Sequence, residues 1–217
     1  MRYLQKALGA LLLGGGLAAA GPVIGLIPGV PGAPAEAQAH LATFGSWEIT
    51  EAYLKELFPE ATTFLRRRDS YSAEQVAQIE AALGFRLNPE DKEPEFYIAI
   101  DESGGQRRFL GVGIFIDPRV ESRLLEGVVV RMEVGIGVDA QGRIARVRLY
   151  EYRGARELTQ DAFLSQFVGR TLEDSFAVGP DEEIKPVEAE PLESQLVADA
   201  ARNALYLMRM SLGRQGR

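Results

Sequence analysis

Gly135-Ile136-Gly137-Val138-Asp139-Ala140-Gln141-Gly142-Arg143-Ile144 is the stretch on which the fold turns. Its first six residues fit the Gly-x-Gly-x-x-Gly/Ala pattern of dinucleotide-binding folds. That pattern works only where a strand hands over to a helix whose N-terminal amides receive a pyrophosphate. Here the chain runs instead through Asp139 and Gly142 into Ile144 and Val147, with Arg143, Arg146 and Arg148 giving that segment one polar face. Residues 128–138 and 144–152 therefore read as two strands joined by an Asp/Gly turn. A hairpin at this place argues against a parallel nucleotide-binding sheet and for an antiparallel one.

Working outward, a second hairpin precedes the first. Residues 96–100 turn through Asp101-Glu102-Ser103-Gly104-Gly105 into residues 109–116. Upstream, residues 48–58 place Ile49, Tyr53, Leu54 and Leu57 on one helical face, and Pro59 stops them. Another helix starts at Ser72, which forms a capping box with Gln75, carries Val76, Ile79 and Leu83 inward, and ends at Gly84. Arg66-Arg67-Arg68 between them reads as a solvated turn. Downstream come a helix capped by Thr159 and carrying Phe163, Leu164 and Phe167, an acidic loop to Ser194, and a C-terminal helix. That last helix has Val197, Ala200, Ala201, Ala204, Leu205 and Met208 at helical spacing. The expected fold is α+β: an antiparallel sheet of two hairpins with helices packed on one face, preceded by a helical segment. The expected organisation is a signal peptide or anchor (1–39), a helical prefix (40–94), the α+β domain (95–212) and a tail (213–217).

Composition narrows the chemistry. The 217 residues are 46% hydrophobic and 25% charged, enough for a sizeable core, with a formal net charge of −7. That balance disfavours nucleic acid, whose phosphates are held by clustered Lys and Arg, and anionic membrane surfaces. The chain has no cysteine, so disulfides, thiolate metal sites and iron–sulfur clusters are impossible. The single histidine, His40, rules out a two-histidine metal site. No nucleophile–base pair is visible, so no independent hydrolase is read here. Redox chemistry would need an organic cofactor.

The N-terminus reads as an export address. Arg2 and Lys6 precede an apolar run from Ala7, and Ala35-Glu36-Ala37-Gln38-Ala39 supplies two small-x-small cleavage sites. The run approaches the ~20 residues that span a bilayer, so an uncleaved anchor is the alternative and the only membrane contact expected. Either way the folded part is placed outside the cytoplasm, in the periplasm or cell envelope.

Four motifs occur in order: Gly135-Ile136-Gly137-Val138-Asp139-x-x-Gly142-Arg143-Ile144; Glu151-Tyr152-Arg153-Gly154-Ala155-Arg156-Glu157; Phe163-Leu164-Ser165-Gln166-Phe167-Val168-Gly169-Arg170; and Val197-x-Asp199-Ala200-Ala201-x-x-Ala204-Leu205. Together they resemble the FMN-binding domain family of exported electron-transfer proteins. The segment from Leu57-Phe58-Pro59-Glu60-Ala61 through Ala82-Leu83-Gly84 resembles the helical prefix of exported members, so the likeness covers most of residues 50–208. It implies FMN, attached through phosphate to a threonine or held noncovalently, and a redox protein or membrane electron-transport complex as partner.

The resemblance also locates the flavin loop, where relatives carry Ser-Gly-Ala-Thr-x-Ser-Ser. Here the sequence is Val187-Glu188-Ala189-Glu190-Pro191-Leu192-Glu193-Ser194. Ala189 takes the glycine position, Pro191 the acceptor threonine and Ser194 the second hydroxyl. Proline has neither hydroxyl nor N–H, so covalent attachment there is impossible. Glu188, Glu190 and Glu193 each oppose a phosphate by about 1 kcal/mol at contact. Thr159 and Thr171 are other nearby hydroxyls, outside any glycine-alanine loop.

The resemblance implies a noncovalent pocket from Tyr152, Arg153, Gln166, Phe167 and Ser194. Tyr152 and Phe167 would stack on the ring, Arg153 would hold the phosphate or ribityl, and Gln166 and Ser194 would donate or accept hydrogen bonds. For Phe167 core packing, and for Ser194 a helix N-cap, are the competing readings. The expected role is electron transfer or an accessory part in a redox complex rather than stand-alone catalysis. The alternative is a flavin-free interaction or assembly module of an extracytoplasmic respiratory complex, with the acidic loop 181–193 as docking surface.

Overall fold

The computed structural model describes residues 49–87, 89–118, 120–121, 129–130 and 132–212. The signal or anchor expected at 1–39 and the tail at 213–217 lie outside the described residues. The elements in chain order are α1 (Glu51–Leu57), β1 (Thr63–Arg68), α2 (Ala73–Leu83), β2 (Glu95–Asp101), β3 (Arg108–Ile116), a two-residue ribbon β4 (Val120–Glu121) and β5 (Val129–Val130), β6 (Glu133–Asp139), β7 (Ile144–Tyr150), α3 (Asp161–Leu164) and α4 (Pro191–Leu212). Strands β1-β2-β3-β6-β7 form one antiparallel sheet in that order. The fold is α+β.

The turn after β6 forms as its chemistry dictates. The Asp139 carboxylate accepts from the amides of Gln141 (2.8 Å) and Arg143 (2.9 Å), and the Asp139 N–H donates to Arg143 O at 2.8 Å. Gly142 sits at φ 79°, a conformation open to glycine at little cost. No helix follows, so no amides are aimed at a pyrophosphate. The two glycines of Gly135-x-Gly137 serve packing instead. A Cβ on Gly135 would lie 2.8 Å from a Tyr150 ring carbon and 3.0 Å from one of Phe115, and a Cβ on Gly137 3.1 Å from the Phe58 ring. The bare strand faces let these rings lie against the sheet.

Alternation sorts the strand residues onto two faces. Val112, Ile114, Ile116, Val134, Ile136, Val138, Ile144 and Val147 join the larger core with Val197, Ala200, Ala201, Ala204, Leu205 and Met208 of α4. Small alanines along α4 leave room for the sheet's branched side chains. α2 docks on α4 through polar links: the Tyr71 hydroxyl donates to Leu207 O (3.2 Å) and the Gln75 amide to Met210 O (3.2 Å). Tyr97, Ala99, Phe115 and Tyr150 form a second core with Leu54, Leu57 and Phe58.

The helices of the α+β domain share one face as expected, α3 through Phe163 and Leu164 joining the same core as α4. α1 of the preceding segment packs beside Phe115 and Tyr150 on the opposite face. One expectation is corrected: within the described part of the helical prefix, residues 63–68 form edge strand β1, paired in register from Thr63↔Ile100 to Arg68↔Glu95. The three arginines are strand residues, not a turn. Arg66 and Arg68 share Glu95 at 3.5 and 3.4 Å, while Arg67 pairs with Asp69 at 2.8 Å. Charges on an exposed edge also oppose edge-to-edge association.

Candidate functional site

Residues 152–155 lie against loop 187–194, and the side chains of Gln166 and Ser194 bond to backbone groups of the protein. Beyond β7 the chain leaves the sheet through Glu151 at φ 55°, a left-handed conformation uncommon for a residue with a Cβ. The Tyr152 ring folds back over Gly154, where an added Cβ would meet its hydroxyl at 2.0 Å. That hydroxyl is buried without a hydrogen-bond partner of good geometry. Burial pushes the Tyr152 phenol up to about 12, and the Glu190 and Glu193 carboxylates add to the rise, while the nearby Ala155 N–H opposes it. Arg153 is exposed and has no ion-pair partner among the described residues.

Loop 187–194 lies against this segment, and its groups bond one another. The Glu190 carboxylate accepts the Ala155 N–H at 3.2 Å. Ser194 is fully buried; its hydroxyl donates to Glu190 O (2.8 Å) and accepts the Val187 N–H (3.0 Å). Ser194 is therefore neither pocket-facing nor an N-cap. α4 begins three residues earlier at Pro191, whose fixed φ and missing N–H suit a first helical position. The Gln166 side chain is likewise engaged: its oxygen accepts the Lys185 N–H (2.8 Å), and its amide donates to Lys185 O (3.1 Å) and Phe163 O (3.3 Å). Phe167 is fully buried, edge-on to Phe163 at 5.4 Å, so it packs the core instead of offering a stacking face.

The remaining hydroxyls are also taken. Thr159 donates to Arg156 O at 2.8 Å and does not cap α3, whose N-cap is Gln160 without a side-chain bond. Thr171 donates to Asp174 at 2.9 Å. A residue the sequence did not flag, Gln195, completes the arrangement by accepting the Val178 N–H (3.1 Å) and donating to Phe176 O (3.3 Å). Gln166, Ser194 and Gln195 thus staple the long loop between α3 and α4 to its two flanks. The residues present do not fit FMN: the phosphate position implied by the resemblance is lined by acids, Phe167 and Ser194 are buried in the protein, and the Gln166 side chain is taken up by the backbone of Lys185.

A separate groove of about 760 Å³ opens at the other end of β6 and β7. Its floor is Ile98, Val112 and Val138 from the sheet and Leu205, Met208 and Leu212 from α4. Arg67, Arg209, Glu173 and the turn 139–142 stand at its rim. Six separated stretches of chain build it, so no local motif announces it.

Among the described residues no helix is long and apolar enough to cross a membrane, and no group of three His, Cys, Asp or Glu side chains could hold a metal ion. No family model matches the chain, and no curated protein matches it at a significant level.

Proposed function

We propose that the chain is an exported, FMN-binding-domain-like protein that works as a flavin-free accessory or assembly module of an extracytoplasmic redox complex. The observation that carries this reading is the Glu190 carboxylate on the Ala155 amide. A protein anion takes a donor beside the segment where the resemblance puts the flavin, and Ser194 and Gln166 are closed off with it. The exposed acids Asp181, Glu182 and Glu183 then form a rigidly mounted face, Glu183 paired with Arg170 at 2.9 Å. Such a face suits a basic patch on a redox partner, where charge speeds encounter and fixes orientation.

A second reading, electron transfer through noncovalent flavin, draws on Arg153, exposed beside the loop and free to take a phosphate. Two experiments separate the readings. Replacing residues 188–194 by a Ser-Gly-Ala-Thr-type loop should create flavin uptake where the parent chain has none. A photo-crosslinking residue at Glu182 should capture, in intact cells, an exported or membrane-anchored redox protein. Flavin in the parent protein as purified, or crosslinks confined to the chain itself, would refute the accessory role.

A further inference from the structure

We infer that the groove under the C-terminal half of α4 binds an amphipathic monoanion, a molecule with an apolar body and one acidic head, with Arg209 holding the head. At about 760 Å³ the groove falls inside the range of about 300–1,000 Å³ typical of small-molecule sites. Its floor is aliphatic, and the apolar surface continues outward. Phe109 at the rim is 48% exposed, and Leu65, the register partner of Ile98, is 43% exposed.

The charges at the rim choose the head group. Arg67 is engaged by Asp69 at 2.8 Å. Asp139 is engaged by its turn amides and by Arg143 at 3.7 Å. Arg209 has no carboxylate partner among the described residues and is held over the Tyr206 ring, 5.1 Å from its centroid. Glu173 is the remaining exposed acid and belongs to the wall shared with turn 139–142. An acidic head is repelled from that wall and drawn to α4, while its apolar body covers Ile98, Val138 and Met208. A guanidinium beside an apolar floor offers a charge-assisted hydrogen bond that a neutral head cannot match.

The test uses dansyl-undecanoic acid as a fluorescent probe on the purified protein. Saturable, blue-shifted emission is expected, with decanoic acid displacing the probe about tenfold better than decanol. Arg209→Gln should abolish that preference, and Gln141→Trp, which sets an indole in the mouth, should weaken both competitors. Circular dichroism of both variants checks that they fold. Absence of saturable emission, equal displacement by acid and alcohol, or an undiminished preference in Arg209→Gln would each overturn the assignment. A concentration-dependent dimer that Gln141→Trp dissociates would give the groove to a second copy and overturn it too.

Discussion

Ser194→Ala isolates the staple that closes loop 187–194. The substitution removes one oxygen from a fully buried position and strips the Val187 N–H of its acceptor at 3.0 Å. The Glu190 carbonyl keeps the Ser194 N–H at 3.0 Å, so one buried group is orphaned, not two. An unsatisfied buried donor costs about 1–3 kcal/mol. Val187 is only half-buried and regains some water, which places the loss at about 1–2 kcal/mol. For a domain of this size each kcal/mol shifts Tm by about 2–4 °C, so a fall of about 2–8 °C is expected. Urea unfolding followed by circular dichroism, with an unchanged m-value, measures it, and faster hydrogen exchange at the Val187 amide locates it. A loss below about 0.5 kcal/mol, the level of an ordinary surface change, would refute the reasoning. A flavin-ligand role makes a different prediction: FMN uptake would fall while the stability of the flavin-free protein stayed the same.

Three further outcomes are expected. Gly111→Ala should cost about 3 kcal/mol, because its Cβ would meet Val138 O at 2.2 Å and the Phe58 ring at 2.7 Å, whereas Gly104→Ala, with nothing within 4 Å, should stay within about 0.5 kcal/mol by the same urea assay. Tyr152→Phe removes a buried hydroxyl without a well-aligned partner and should be neutral or stabilising by up to about 1 kcal/mol. The phenol is raised to about 12, so the folded state keeps its proton longer than the unfolded chain. Stability in the parent should therefore fall as pH rises from about 10 through about 12, and the variant should show a shallower slope in pH-dependent melts, the rest coming from Tyr71, Tyr97 and Tyr150, which burial also raises. Burial, helped by Glu190, holds the Glu193 carboxyl above its ordinary range, so its contribution is full at low pH and is lost as pH rises through the raised value. Glu193→Gln should flatten that limb and raise Tm at neutral pH.

Local chemistry was legible in the sequence. The Asp139/Gly142 turn, the capping box of Ser72 and Gln75 and the left-handed Gly84 after α2 all form as read, because each depends on residues within a few positions. The apolar spacing of α4 was legible for the same reason. Strand β1 was not, since three consecutive arginines hide the alternation and only pairing with Glu95 and Asp69 reveals it. The start of α4 was missed because a loop of carboxylates hid the role of Pro191 as first helical residue. Ala155 meets Glu190 across the loop, but the direction in which Ser194 and Gln166 point was not legible. That direction depends on unpaired loop amides at Val187 and Lys185, which a pattern of residue types does not record. The groove was wholly outside reach, being assembled from residues as distant as Arg67 and Leu212.

The most direct check on the closed loop is a fluorescence titration of FMN with the purified protein. Free FMN should keep its full emission even at large protein excess, and the protein should remain colourless. Saturable quenching that weakens in Arg153→Gln and in Ser194→Ala would contradict the account, because it would show a flavin seated where Glu190 and its neighbours are held to have closed the site.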